Sequence, residues 1–426
     1  MRVYKPSGIE WLGEIPQSWE NVSIRSCFTE SNQRCNTDSY PLLSVTIANG
    51  IIYQDDIENK KDISNDDKSN YKIVPLNAVA YNKMRMWQGA VGVNTLTIGI
   101  VSPAYIVAIP NEKILPNFVS YLFKSKIMIS EFDKNSYGLC LDMNNLRYDD
   151  FRNIKIPLPP LQEQKEIAEF LDKKCEKIQN YINKKQKLIT LLQEKKQALI
   201  NEAVTKGLNP NIEFKNSGIA YLGLIPHHWE IKKLKYVGKV VLGKMLCNEH
   251  QKGYSHCYYL KSKNLQWLNV EVSQIEKMWF SEYEKSLYRI KKDDLLVSEG
   301  GEVGKTCIWN NELAECYIQN SVHKITLNKF NNAKFFLYLF FTYGKLGVFD
   351  SVVSRVSIAH LVLEKLVNVD MVVPPLQEQK QIANFLDEKC EKINSAIEKT
   401  KRQIELIKEY KNTLINEAVC GRIRVN

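Results

Sequence analysis

The chain has 426 residues, of which 44% are apolar and 25% charged, and its 58 Lys and Arg against 48 Asp and Glu give a formal net charge of +10. A domain typically holds roughly 100–200 residues, so this length predicts two or more globular units and excludes a disulfide-stapled miniprotein or a disordered tail. The longest apolar block, residues 335–341, is far short of the ~20 residues that cross a bilayer, and no apolar leader follows Arg2 and Lys5, which predicts a soluble cytoplasmic protein without a membrane partner.

An internal repeat organises the chain. The segment SGIEWLGEIPQSWE at 7–20 recurs as SGIAYLGLIPHHWE at 217–230, and PPLQEQKEIAEFLDKKCEKI at 159–178 recurs as PPLQEQKQIANFLDEKCEKI at 374–393. Extended to residues 204 and 419, the second match has 29 identities in 46 positions. Such identity within one chain indicates duplication. It predicts four domains: a first insert at 1–157, a first long helix at 158–208, a second insert at 209–373 and a second long helix at 374–426.

The two inserts are predicted to be mixed α/β. Strand-like apolar runs and helix-like runs alternate, with glycine pairs between some of the strands. The strands are predicted at 78–81, 105–109, 294–298 and 306–309, the helices at 118–124 and 333–341, and a short helix is expected to begin near Asp149 and Asp150. The first insert is neutral, with 17 basic and 17 acidic residues, whereas residues 211–373 carry 21 basic and 16 acidic residues.

Polar side chains on predicted loops of the inserts are candidates for DNA contacts. Arg and Lys can contact guanine or phosphate, and Asn and Gln can read adenine. Taken singly, such a side chain is more often a solvated surface residue than a DNA contact, so the prediction rests on the groups and not on individual residues. The candidates are Asn82, Lys83, Arg85, Gln88, Asn144 and Arg147 in the first insert, and Lys244, Lys305, Ser354 and Arg355 in the second.

The repeated segments predict long helices. Pro159 and Pro160 mark the entry of the first, and a narrow apolar stripe at a 3–4 spacing on a polar helix is typical of a coiled-coil seam. The predicted packing positions are Leu171, Ile178, Ile182, Ile189 and Leu192 in the first helix, and Leu386, Ile393, Ile397, Ile404 and Ile407 in the second.

Chain connectivity sets the expected direction of the two helices. Each helix would be roughly 60 Å long, whereas a compact insert is only about 40 Å across. The second insert joins the end of the first helix to the start of the second. If the helices were parallel, these two points would lie at opposite ends of the helix pair, and the insert would have to extend along its full length. We therefore predict an α+β fold in which two globular domains lie at opposite ends of an antiparallel coiled coil, related by a pseudo-two-fold axis.

No catalytic motif is found in the sequence. GGEVGKT at 300–306 is one residue short of a phosphate-binding loop and follows Glu299. The sequence also lacks a glycine-rich adenosyl-binding loop, a CxxC pair among its ten cysteines, and a metal-binding spacing of its six histidines. These features predict a chain that has no catalytic activity and binds no metal.

These residues resemble the specificity subunit of type I restriction–modification systems over essentially the whole chain. The resemblance rests on the 7–20 motif, the Gly-x-Val-Gly at 89–92, GIVSPAY at 99–105, PLPPLQEQ at 157–164 and the doubled layout, although the second insert lacks a close match to residues 99–105. It implies two target-recognition domains that each read half of a split, asymmetric site on double-stranded DNA. It also implies that the helices dock two methyltransferase subunits and, through them, restriction subunits. S-adenosylmethionine, ATP and Mg²⁺ would then be bound by the partners and none by this chain.

Two other functions remain open from the sequence. The neutral first insert favours a coiled-coil adaptor whose inserts bind proteins instead of DNA. The incomplete loop at 300–306 is the only feature that favours a nucleotide-dependent enzyme.

Overall fold

A computed structural model describes residues 2–35, 40–57, 68–138, 144–352 and 360–425. The chain divides into two compact units, the first formed by Met1–Gln186 with Lys401–Asn426 and the second by Lys187–Thr400. Each unit thus combines one insert with a segment of each long helix. The predicted boundaries instead separated the helices from the inserts.

The first unit is built on an antiparallel four-stranded sheet in the order β4-β11-β8-β9. Its strands are β1 (Tyr4–Pro6), β2 (Glu14–Pro16), β3 (Glu20–Ser23), β4 (Phe28–Ser31), β5 (Leu43–Thr46), β6 (Gly50–Tyr53), β7 (Lys72–Val74), β8 (Val79–Asn82), β9 (Val91–Val93), β10 (Gly99–Val101), β11 (Tyr105–Pro110) and β12 (Lys155–Leu158). Its helices are α1 (Pro116–Lys124), α2 (Lys126–Lys134), α3 (Tyr148–Phe151) and the first part of α4 (Leu161–Lys206). Phe118, Phe123, Phe132 and Phe151 fill the core beneath the sheet.

The second unit repeats this plan with a four-stranded sheet in the order β16-β24-β21-β22. Its strands are β13 (Phe214–Asn216), β14 (Leu224–Pro226), β15 (Glu230–Lys233), β16 (Gly238–Leu242), β17 (Ser255–Leu260), β18 (Leu265–Gln266), β19 (Asn269–Val270), β20 (Glu276–Phe280), β21 (Leu295–Ser298), β22 (Thr306–Ile308), β23 (Tyr317–Ile318), β24 (Val322–Leu327) and β25 (Asp370–Val373). Its helices are α5 (Leu234–Val237), α6 (Glu282–Tyr288), α7 (Ala333–Lys345), α8 (Val348–Val352), α9 (Leu363–Leu366) and α10 (Leu376–Val419), the last of which ends in the first unit.

Strand pairing makes the two sheets equivalent. β8 pairs with β9 and β11 in the first unit as β21 pairs with β22 and β24 in the second, and β3 pairs with β12 as β15 pairs with β25. The four predicted strands, the two predicted helices and the short helix at 148–151 are confirmed, with ends shifted by a few residues. The α+β fold with two globular domains and two long helices is therefore confirmed.

Both long helices form over the predicted ranges, and they run antiparallel within each unit. In the first unit Leu171 and Ile178 of α4 share a core with Leu414 and Ala418 near the end of α10. In the second, Ile200 and Val204 near the end of α4 pack with Ile382 and Leu386 near the start of α10. The predicted seam positions Leu171, Ile178, Ile189, Leu386, Ile397 and Ile404 are buried, and Ile182, Leu192, Ile393 and Ile407 are half-buried.

A buried glutamine ties each insert to the start of a long helix. The Gln164 amide is fully buried; its Oε1 accepts the Leu115 N–H (2.7 Å), and its Nε2 donates to the carbonyls of Lys113 (3.0 Å) and Pro159 (2.8 Å). Gln379 makes the corresponding bonds in the second unit. Its Oε1 accepts the Asn332 N–H (2.8 Å), and its Nε2 donates to the Pro374 carbonyl (2.8 Å). The second glutamine of the repeated PPLQEQ motif is thus a structural residue.

A tryptophan and a glycine complete the same joint. Trp19 is fully buried and donates its indole N–H to Glu163 (Nε1 to Oε2, 2.7 Å), and it packs on Gly421, which follows α10. In the second unit Trp229 packs on Gly207, which follows α4. Both glycines have positive φ, +73° and +78°. The tryptophan of the repeated motif, Trp19 in the first unit and Trp229 in the second, therefore anchors each insert to the end of one long helix.

Among the residues described, no helix is both long enough and apolar enough to span a membrane.

Candidate nucleic-acid interface

The end of β8 and the turn that follows it carry four of the predicted DNA contacts. Asn82 Oδ1 accepts the Met84 N–H (3.0 Å), a 3₁₀ helix spans Met86–Gln88, and Gly89 closes the turn at φ +89°. The fully buried Met86 anchors this turn to the core. The amide oxygen of Asn82 is thus used within the loop, while Arg85 and Gln88 are exposed and Lys83 is half-buried.

The structure brings the two candidate groups of the first insert together. Leu146 donates its N–H to the Lys83 carbonyl (2.8 Å), so residues 144–147 lie beside the turn after β8. Arg147 is exposed just before α3, and Asn144 Nδ2 donates weakly to Asp133 Oδ1 (3.3 Å). We call the surface formed by residues 82–88 and 144–147 the first edge.

Two further cations, Lys72 and Arg34, lie beside each other, and Lys72 is close enough to Lys83 to feel its charge. Lys72 forms an isolated bridge with Arg34, and its Nζ lies 3.9 Å from Glu30 Oε1. Burial lowers the pKa of Lys72, Glu30 opposes this effect, and the nearby charges of Lys83 and Arg34 lower the pKa further. The first edge is therefore locally cationic although the insert is neutral. Arg34 and Lys72 were absent from the sequence-based set because only strand pairing brings these two cations together.

The equivalent surface of the second unit is the turn between β21 and β22. Leu361 donates its N–H to the Glu299 carbonyl (2.8 Å), as Leu146 does to Lys83. Gly301 and Gly304 have φ of +74° and +76°. A phosphate-binding loop opens a helix, whose N-terminus faces the phosphates, but this turn leads into the strand β22. We call residues 299–305 with Gln319, Asn320 and His360 the second edge.

Lys305 is paired within the second edge. Its Nζ lies 2.9 Å from Glu302 Oε2, and Trp267 donates its indole N–H to the same carboxylate. The hydrogen bond from Lys305 lowers the pKa of Glu302. The charge of Lys305 is therefore largely balanced by a neighbour in the turn.

Lys244 requires a correction. The sequence predicted a contact with the DNA backbone, but the residue is only 9% exposed. Its Nζ donates to Glu284 Oε2 (2.5 Å) and to the Trp279 carbonyl (2.9 Å), and it lies over the rings of Tyr254 and Phe280. Lys244 is a structural cation of the second unit and cannot reach a phosphate in this position. The candidates Ser354 and Arg355 lie outside the described residues.

Replacement of Lys244 tests this correction. We expect Lys244→Met to destabilise the second unit by about 1–3 kcal/mol, because Glu284 loses its ion pair and the Trp279 carbonyl loses its donor. The salt dependence of DNA binding should not change, since no phosphate contact is lost. Thermal melting and gel shifts over a salt series measure the two effects. The exposed Lys252 offers a matched control, Lys252→Met, which should leave the melting temperature unchanged; equal melting of both variants would contradict the structural role.

Among the described residues, no group of three or more His, Cys, Asp or Glu side chains could hold a metal ion.

Comparison with known proteins identifies a family. A family model described as "Type I restriction modification DNA specificity domain" matches residues 16–192 and 226–406. These two matches cover most of both inserts and most of both long helices.

Relatives match along the whole chain. The putative type I restriction enzyme MjaX specificity subunit of Methanocaldococcus jannaschii is 26% identical over 443 residues, which cover 97% of this chain and 96% of that protein. A chain solved for the complex assembly and conformational transition of the type I R-M system has a TM-score of 0.74 at 16% identity, covering 96% of this chain and 99% of its own. The HsdS subunit from Thermoanaerobacter tengcongensis has a TM-score of 0.56 at 18% identity, and the match covers 96% of this chain and 98% of that subunit. At these identities the two structures support the fold alone.

Proposed function

The chain belongs to the family of type I restriction–modification specificity subunits, and from this premise we propose that it reads a bipartite, asymmetric DNA site, one half with each insert. DNA sequence recognition and assembly with other subunits are properties of the family. The observation that carries the bipartite proposal is the pair of equivalent sheets that present different side chains at equivalent edges. Two similar frameworks with different contact residues would read two different half-sites.

The first edge has the chemistry of a DNA contact. Lys83, Arg85 and Arg147 provide cations that can bind phosphates or guanine, and Gln88 provides an amide that suits adenine. Arg34 and Lys72 add charge beside them. A local cationic group is sufficient here, because phosphate attraction acts over about a Debye length, roughly 8 Å at physiological salt.

The second edge has different chemistry. It presents the carboxylate of Glu299, the amide of Asn320 and the imidazole of His360, whereas the carboxylate of Glu302 is paired with Lys305. Such groups pair with base edges through hydrogen bonds more than with phosphates. We therefore expect the second half-site to differ from the first.

The long helices would dock the partner subunits. Large apolar side chains are exposed along otherwise polar helices, which is typical of a surface that another protein covers; they are Tyr181, Leu188 and Leu191 on α4, and Leu406 and Tyr410 on α10. We expect two methyltransferase subunits to bind there and restriction subunits to join through them in the cytoplasm. The partners would bind S-adenosylmethionine, ATP and Mg²⁺ and perform the chemistry, while this chain binds no cofactor and acts as a non-catalytic subunit.

An exchange of one insert tests the proposal. Residues 209–373 would be replaced by the corresponding insert of another specificity subunit, and the chimera would be co-expressed with its methyltransferase partner. We expect sequencing of methylated adenines to show one half of the site changed and the other half retained. The reciprocal exchange of residues 1–157 is the matched control and should change the other half. If either exchange altered both halves, or neither, the bipartite proposal would be wrong.

The neutral first insert favours one competing function, a coiled-coil adaptor that binds proteins. Gel shifts with the co-expressed methyltransferase separate the two. A DNA reader loses affinity steeply as salt rises, because bound phosphates release counterions. An adaptor would give no salt-sensitive, sequence-selective shift.

A further inference from the structure

Lys83 and Glu299 occupy the same position in the two units. Each directly follows an equivalent strand, β8 or β21, and its carbonyl accepts an N–H from Leu146 or Leu361, in both cases at 2.8 Å. The preceding residue is also held alike: Asn82 donates its N–H to the Ala90 carbonyl (3.0 Å) and Ser298 to the Lys305 carbonyl (2.8 Å). The backbone frame is therefore the same while the side-chain charge is reversed.

Lys83 is a hydrogen-bond donor available at the first edge. It is half-buried, and its charge lies close enough to Lys72 to affect the pKa of that lysine. No carboxylate in the described part of the chain forms an ion pair with it. Its ammonium can therefore turn toward an acceptor on DNA, and a lysine pairs best with the O6 and N7 acceptors of guanine.

Glu299 is a hydrogen-bond acceptor for which the described residues, 2–352 with their gaps and 360–425, supply no donor. Its side chain is 19% exposed, and the imidazole of His360 lies beside it, with Nδ1 3.9 Å from Oε1. Burial raises the pKa of the Glu299 carboxyl, and His360 opposes that shift. Within the described residues no group donates a hydrogen bond to this carboxylate. A half-buried carboxylate without donors is costly, and a donor on DNA would satisfy it.

We infer that Lys83 and Glu299 are specificity-determining residues of opposite polarity: Lys83 donates to a guanine in one half-site, and Glu299 accepts from the exocyclic amine of a cytosine in the other. This inference rests on the proposed function. It explains how one duplicated frame reads two half-sites, since a single change at one position exchanges a donor for an acceptor. Glu is the side chain that pairs with cytosine N4.

Base analogues test the inference on the unaltered complex with the methyltransferase. Once the methylated site is mapped, each guanine in one half-site is replaced in turn by 7-deazaguanine, which lacks N7. Each cytosine in the other half-site is replaced by N4-methylcytosine, which still pairs but blocks the amine hydrogen in the groove. We expect one position in each half-site to lose affinity about ten-fold, the effect of one lost specific contact.

Charge-reversal variants assign each sensitive position to its residue. We expect Lys83→Glu to remove the 7-deazaguanine effect and to change the methylated motif in one half-site only. Glu299→Lys should remove the N4-methylcytosine effect and change the other half-site. Matched controls are Lys155→Glu on β12 and Glu312→Lys in the turn after β22, both at exposed residues, which should leave the motif unchanged.

The outcomes separate this inference from the proposed function. If the unaltered complex showed no sequence-selective binding, the proposed function itself would fail. If binding were selective but no analogue position lost affinity, or if each variant kept the original motif, only the assignment of Lys83 and Glu299 would be overturned. If a charge-reversal variant fails to fold, Lys83→Met or Glu299→Gln takes its place, since each keeps about the same side-chain length and removes only the charge; loss of the corresponding analogue effect supports the assignment, and its persistence overturns it.

Discussion

Gln164→Leu is expected to lower the free energy of unfolding of the first unit by about 2–4 kcal/mol. Leucine has nearly the same volume but no polar atoms, so the Leu115 N–H and the carbonyls of Lys113 and Pro159 lose their partners in a buried joint. A buried group without a partner costs about 1–3 kcal/mol. For a unit of this size each kcal/mol lowers the melting temperature by about 2–4 °C, so a calorimetric scan should show a loss of roughly 4–16 °C.

Gln162→Leu is the matched control for this prediction. Gln162 lies in the same helical turn but is exposed, and its Nε2 donates only to Glu166 (2.9 Å). We expect almost no change in melting temperature. Equal effects at the two positions would show that the amide bonds of Gln164 do not hold the joint. Gln379→Leu should destabilise the second unit by a similar amount, because Gln379 makes the corresponding bonds.

The repeated parts of the chain could be predicted well because their patterns are local. A proline pair, acidic residues in the first turn and a 3–4 apolar spacing define α4 and α10 within a few residues. The antiparallel direction followed from length and connectivity. The buried role of Gln164, by contrast, could not be inferred, since a glutamine in the first turn of a helix is ordinarily solvated, and its partners Lys113 and Leu115 come from the distant segment before α1.

The site was less predictable because its residues meet through tertiary structure. Lys83 and Arg85 were found from their own loop, whereas Arg34 meets Lys72 only through strand pairing between distant parts of the chain, and Lys72 in turn lies near Lys83. Lys244 has the sequence context of a solvated loop lysine and is nonetheless enclosed by Glu284 and two aromatic rings. Local sequence reports residue type, whereas burial and partners depend on which strands become neighbours.

The second insert shows the same limit at the level of strands. It has no close sequence match to residues 99–105, yet Tyr317–Ile318 (β23), a three-residue connection and β24 take the place of β10, residues 102–104 and β11. The connection in the second unit contains Gln319, Asn320 and Ser321, polar residues that replace Ser102, Pro103 and Ala104. Equivalent backbone positions can thus carry entirely different side chains. After a duplication, such divergence would allow the second insert to recognise a different half-site from the first.

The glycine after α10 is expected to be among the most sensitive positions in the first unit. Gly421 has φ +73°, and a Cβ there would lie 2.6 Å from Pro16 Cδ and 3.0 Å from Trp19 Cη2. Gly421→Ala therefore combines left-handed backbone strain of about 1–2 kcal/mol with overpacking of about 1–3 kcal/mol. We expect the melting temperature of the first unit to fall by roughly 4–20 °C, from about 2–4 °C for each kcal/mol. Specific DNA binding should weaken as the melting temperature falls, because the motif at 7–20 no longer packs against the end of α10.

Two other glycines isolate the packing contribution. Gly218 has the same φ of +73° and no atom within 4 Å of an added Cβ, so Gly218→Ala should cost only the backbone strain. Gly207 has φ +78° and a looser fit, with Glu378 Oε1 at 3.2 Å and a Trp229 ring carbon at 3.4 Å, so its effect should be intermediate. The expected order of destabilisation by alanine is Gly421, then Gly207, then Gly218. Equal losses at all three would mean that backbone strain alone acts and that the contact with Pro16 and Trp19 does not hold the end of the helix.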